Sequence, residues 1–182
     1  IYSGLISSQP ELIESRKDII DYWWKNDSTS LQSVFYHNEI LREEGRGDEA
    51  IEKLKSCQTR TPNDTARLYY FIANEHLYMG NTKQAIKYFT QSAAYDMKLS
   101  AKAYNDLYQL ARILFREGDI DRADRYMRIT LNDARISQYR SRYEDVIHTQ
   151  MEIMNALLHK EKQKRQAYFM TALAILMMLI AA

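Results

Sequence analysis

A helical stretch, a glycine and an alanine five residues later recur three times, as Gly45/Ala50, Gly80/Ala85 and Gly118/Ala123. The glycines lie 35 and 38 residues apart, close to the ~34-residue period of stacked helical hairpins. One such hairpin cannot bury its own apolar face, so a chain that repeats it folds by stacking neighbours. Glycine at each turn tolerates φ > 0 and lets the second helix reverse direction. With only 5 Gly and 2 Pro in 182 residues, the chain is too poor in turn formers for an all-β protein and suits long helices.

Helix signals agree with this period. Ser8-Gln9-Pro10-Glu11 and Thr61-Pro62-Asn63-Asp64 each place a hydroxyl before a proline. Such a hydroxyl accepts from the orphan N–H groups of a first turn, and a nearby acid suits the positive end of the helix dipole. Asn81 and Asp119, each just after a repeat glycine, read as caps of second helices. Helices are predicted near 10–25, 30–44, 48–59, 63–79, 82–96, 100–117 and 120–135, with a last one from about 140. Apolar residues keep helical spacing within each repeat, and Ala73, Ala111 and the alanine after each glycine mark close helix crossings. The pattern is that of a tetratricopeptide-type, right-handed all-α solenoid of about three repeats (29–62, 63–99 and 100–138). A helix at 1–28 precedes them and a long helix at 139–167 follows. The first repeat is irregular, with His37 and Asn38 where Leu and a small residue are usual.

From Tyr168 to Ala182 the chain has no charge, and Thr171 is the only strongly polar residue. Apolar side chains on every face do not make an amphipathic cap. Fifteen residues fall short of the ~20 that span a bilayer, yet the run is still apolar at its last residue, so 168–182 is read as the start of a transmembrane helix. A basic collar, Lys160-Glu161-Lys162-Gln163-Lys164-Arg165, comes just before it. The plain alternative is a terminal helix covering the end of the solenoid. The first residue is Ile, so a further N-terminal segment is expected before it.

No catalytic constellation, cofactor motif or metal-ligand spacing stands out, so neither enzyme chemistry nor a cofactor is expected. His37, His76, His148 and His159 share no i, i+4 spacing. His76 falls at a packing position, and Cys57 at the small-residue position of its helix reads as a buried, inert thiol. One cysteine excludes an intrachain disulfide framework. Charges nearly balance, 25 basic against 24 acidic. The arginines of 126–142 lie in no known nucleic-acid motif, so this stretch is not expected to bind nucleic acid.

First helices line the inner groove of such arrays, and the register then assigns its side chains. The second repeat offers Tyr70, Asn74 and Tyr78, and the third offers Tyr108, Arg112 and Arg116. The first repeat contributes Gln32, Phe35, Tyr36, Glu39, Arg42 and Glu43. Rings give contact area at low entropic cost, while Arg and Asn fix polar groups of an extended peptide. A protein, a peptide or a small ligand is the expected occupant. Asn74 stands where tetratricopeptide domains that clamp a C-terminal carboxylate carry a key asparagine, but the companion lysines are absent.

The stretch GDIDRADRY at 118–126, followed by LNDA at 131–134, a Lys/Arg-rich helix and an apolar run, resembles the membrane-anchored tetratricopeptide regulators of Bacteroidetes. The resemblance covers residues 60–182. It implies an exported repeat domain, one inner-membrane span, and a cytoplasmic coiled coil with a helix-turn-helix-like end lying beyond this sequence. The repeats would then be a periplasmic sensor or partner-binding module, with two copies pairing through the C-terminal helix. The basic collar argues for the opposite side, because positive flanks stay cytoplasmic. The competing reading is a scaffold that assembles proteins at the membrane and sends no signal.

Overall fold

A computed structural model describes residues 10–97, 105–136 and 140–181. Among these the chain is helical, with no strand. The helices are α1 (Pro10–Asn26), α2 (Leu31–Glu43), α3 (Gly47–Ser56), α4 (Pro62–Tyr78), α5 (Thr82–Asp96), α6 (Asn105–Arg116), α7 (Ile120–Ile136) and α8 (Arg140–Ala181). Two compact units divide at Leu110/Ala111, within α6. The expected cap at Ser8 and the start of α6 at 100–104 lie outside the described residues.

All three repeat glycines occupy the left-handed region, with φ of 74°, 78° and 82° at Gly45, Gly80 and Gly118. The surrounding turn is the same each time. Gly45 N–H donates to Arg42 C=O, and Arg46 N–H donates to Leu41 C=O. Gly80 and Asn81 donate in the same way to Leu77 and His76, as do Gly118 and Asp119 to Phe115 and Leu114. This is the Schellman end of a helix, which satisfies carbonyls that would otherwise lack donors. The residue after the glycine also begins the next helix, since its carbonyl accepts from the N–H of Ala50, Ala85 or Ala123. Those three alanines are fully buried. The glycine–alanine spacing is thus the length of one minimal turn plus one helical turn, ending where two helices touch.

In the first unit α2 packs on α3 and α4 on α5, each as a hairpin, with α1 against α2. The core joins Val34 and Phe35 of α2, Leu54 of α3, and Leu68 and Ile72 of α4, with Trp24, Leu31, Tyr69 and Tyr88 against it. Thr61 and Asp64 form a reciprocal capping box at the start of α4, as the Thr-Pro-Asn-Asp signature predicts. Three expectations change. Helix α3 ends at Ser56, earlier than 59, because Cys57 turns extended (ψ 136°) ahead of the next cap. Asn81 occupies the N-cap position, but its side chain makes no capping bond. Phe35, assigned to the groove, is 1 % exposed and stacks on Phe71 with centroids 4.1 Å apart; it fills the space between α2 and α4.

In the second unit α7 and α8 form a hairpin. Asp119 caps α7 by accepting from Arg122 N–H. Val146 and Ile153 of α8 and Met127 and Thr130 of α7 are buried. Gln150 donates to Asp124 Oδ1, and Lys160 to Asp121 Oδ2 at 2.6 Å. Beyond Lys160 every described residue of α8 is exposed.

Candidate binding surface

Helices α2 and α4 open the first two hairpins, and side chains about one repeat apart tie them together. Arg67 donates to Gln32 Oε1 (2.9 Å), and its guanidinium lies 5.0 Å from the Phe35 ring centroid. Further along, Asn38 and Arg42 both donate to Glu75 Oε1, at 2.6 and 3.2 Å. The Arg42 guanidinium is also 5.9 Å from the ring centroid of Tyr78. Two arginines are therefore held on this surface by an aromatic face and an oxygen acceptor each.

Glu75 is the acceptor that holds Arg42. The residue is completely buried, and its Oε2 has no donor, nor does the Oδ1 of buried Asn38. Burial pushes the Glu75 carboxyl above the usual range, while the charge of Arg42 and the bond from Asn38 pull it back in part. A proton on Glu75 would remove the negative charge that Arg42 faces at 3.2 Å.

A cavity of about 290 Å³ lies at the other end of α4. Ser92, Asp96 and Asp106 line it, with Arg67, Tyr70 and Phe71 also in its wall. Ser92 Oγ is 2.6 Å from Ala66 C=O and 2.8 Å from Asp106 Oδ2. A hydroxyl has one hydrogen, so when Ala66 receives it the contact with Asp106 requires a proton on the carboxyl. Burial pushes Asp106 up to about 7; donation from Ser92 opposes this, and the charge of Asp96 adds to it.

Of the side chains assigned from sequence, Tyr70, Asn74 and Tyr78 fall along one face of α4, four residues apart. Tyr70 is half-buried and meets Phe89 edge-on at 5.7 Å. Asn74 spends one amide hydrogen on Tyr70 C=O (2.8 Å). Tyr78 is 67 % exposed. Tyr108, Arg112 and Arg116 form the matching row on α6, which crosses from the first unit into the second; Tyr108 and Arg112 are half-buried and Arg116 is exposed. His76 is half-buried and stacks on Tyr88. The Cys57 thiol is partly buried, donates to Lys53 C=O, and is pushed up by burial. No group of three or more possible metal ligands occurs among the described residues.

Glu75, Asp96 and Asp106 were not singled out from the sequence. For Glu75 a signal was present: it continues the Leu68, Ile72 series on the apolar face of α4, where a lone carboxylate must find a partner.

Residues 17–148 match the family model described as the SusR N-terminal TPR domain. No curated protein matches the chain. Among solved structures, a Podosopora anserina putative kinesin light chain with nearly identical TPR-like repeats is 16% identical, with a TM-score of 0.58 over 90% of this chain and 84% of that one. PilF of Pseudomonas aeruginosa is 18% identical, with a TM-score of 0.53 over 87% and 76%. A MamA protein is 17% identical, with a TM-score of 0.51 over 88% and 91%. At such identities the likeness shows the fold, an all-helical tetratricopeptide-type array.

Proposed function

The chain belongs to the SusR N-terminal TPR domain family, and from that premise we propose that it is the sensing, partner-binding module of a membrane-anchored transcriptional regulator. A protein or peptide, or a small ligand, occupies the surface of the first helices. Tyr70, Asn74 and Tyr78 contact it on α4, and Tyr108, Arg112 and Arg116 on α6. The module performs no catalysis. Helix α8 crosses the inner membrane, with the repeats on the periplasmic side, and transmits occupancy by a change in its pose or in the pairing of two copies. DNA binding belongs to sequence beyond this chain.

The observation that carries this reading is the change of character along α8. Its first half packs on α7, while Tyr168 to Ile180 includes ten large apolar side chains at 43–75 % exposure. Among the described residues it is the one helix long and apolar enough to cross a membrane. In water such a surface is a strong liability, and a bilayer removes it. The full chain is expected to float with phospholipid vesicles in a density gradient; a chain that stays at the bottom as free protein would overturn the reading.

A further inference from the structure

We propose that the cavity between α1 and α2 binds a small uncharged molecule with an aromatic or branched-alkyl body and a carbonyl oxygen. The site lies outside the α4 and α6 row of the proposed function and does not depend on the membrane anchor.

The cavity holds about 440 Å³, within the range of small-molecule sites. Ile19, Ile20 and Trp23 of α1 and Tyr36 of α2 supply its apolar wall. Ile20 is buried, whereas Ile19, Trp23 and Tyr36 are 59 %, 57 % and 44 % exposed. Ile19 and Trp23 stand one turn apart on the same side of α1. Aliphatic and aromatic side chains around one opening offer contact area to a flat or branched apolar body.

Polar groups in the same wall fix the chemistry of the occupant. Ser33 lines the cavity and is 3 % exposed. Its backbone N–H is taken by Ser30 Oγ, but its own hydroxyl has no partner among the described residues. Arg16 also lines the cavity, and its buried Nε–H is likewise without an acceptor. Buried polar atoms are nearly always paired, and the cavity is the open space that these two residues share. The Ser33 hydroxyl turns towards it about a single torsion.

Both groups offer a hydrogen, so the occupant supplies an acceptor. Charge requires that acceptor to be neutral. Arg16 already donates to Glu39 Oε2 at 3.3 Å and to Glu43. One cation thus faces two carboxylates, and no positive charge remains to hold an anion. An ammonium group would sit beside the guanidinium and bring further donors instead of the missing acceptor. A carbonyl oxygen accepts two hydrogens without a charge. Water could serve the donors, but it would leave the apolar wall wet; an apolar carbonyl compound satisfies both.

The chain has two tryptophans. Trp23 lines the cavity, while Trp24 stacks on His37. With 5-fluorotryptophan incorporated, fluorine NMR of the full chain in detergent micelles follows both, and Trp24→Phe assigns the signals. The probes are acetophenone, toluene, benzoate and benzylammonium. Acetophenone should shift the Trp23 signal, leave that of Trp24 in place, and bind several-fold more tightly than either ion. Ser33→Ala removes the hydroxyl, and Arg16→Lys removes the Nε–H while keeping a cation towards Glu39. Each should weaken acetophenone several-fold and leave toluene unchanged. Comparing one probe between variants cancels its partition into the micelle. The ranking of the probes on the unaltered chain stands whichever variant folds. No Trp23 shift up to the solubility of acetophenone, equal losses for toluene and acetophenone, or tighter binding of either ion overturns the proposal.

Discussion

Gly80 has φ +78° and open space where a Cβ would stand. An alanine there meets no clash and bears only the left-handed penalty, so Gly80→Ala should lower unfolding free energy by about 1–2 kcal/mol in urea titration. Gly80→Asn should lose less, since Asn tolerates that region. Asp106 gives a prediction with a sign. Its folded value of about 7 lies above the ordinary 3.8, so between those values the folded state binds more protons. Its contribution is therefore fully present below the unfolded value and is lost as pH rises through about 7. Asp119, held low by Arg122 N–H and the Arg122 guanidinium, acts oppositely and loses its contribution only as pH falls below the ordinary carboxylate range. Asp106→Asn mimics the protonated acid by donating to Ser92, and should flatten the fall in stability between about pH 4 and 7 measured by urea unfolding. An unchanged slope would remove Asp106 as its cause. Glu75→Gln should be well tolerated, because an amide accepts from Asn38 at one atom and can donate at the other. Glu75→Ala strands the buried amide of Asn38 and takes the acceptor from half-buried Arg42, and should cost about 1–3 kcal/mol. Glu75 is legible from sequence only as a carboxylate on the apolar face of α4, and Asp106 is not, because its burial depends on Ser92 of the preceding hairpin.

The turns were legible at the scale of elements because the chemistry that ends one helix and starts the next is local. Gly45, Gly80 and Gly118 each close a Schellman motif within six residues, and Thr61 and Asp64 cap α4 within four. Thr61→Ala should cost about 1 kcal/mol of stability. Phe35 was misassigned for the opposite reason: its fate depends on Phe71, a repeat away. In the α7/α8 hairpin the buried and the exposed faces of α8 should respond differently. Ile153→Ala opens a cavity at a fully buried site and should destabilise by about 2–5 kcal/mol by thermal or denaturant unfolding. Met151→Ala should leave the packing of α7 on α8 intact.

For the whole molecule, periodicity identified the tetratricopeptide-type fold before any contact was known, because stacking repeats forces one core pattern on each copy. The row proposed to bind is legible in the sequence only as positions on α4 and α6. Which side chains are engaged elsewhere, as Asn74 is with Tyr70, required the structure. In the proposed function the end of α8, and not the charge of the collar, attaches the chain to a membrane. Alkaline carbonate extraction of membranes from cells expressing the full chain tests it most directly, because high pH and salt strip proteins held by charge. The account predicts that the chain remains in the pellet, and that a variant carrying Leu173→Lys and Leu176→Lys, with the collar intact, moves to the supernatant. Release of the unaltered chain by carbonate, or retention of the double-lysine variant, would contradict it.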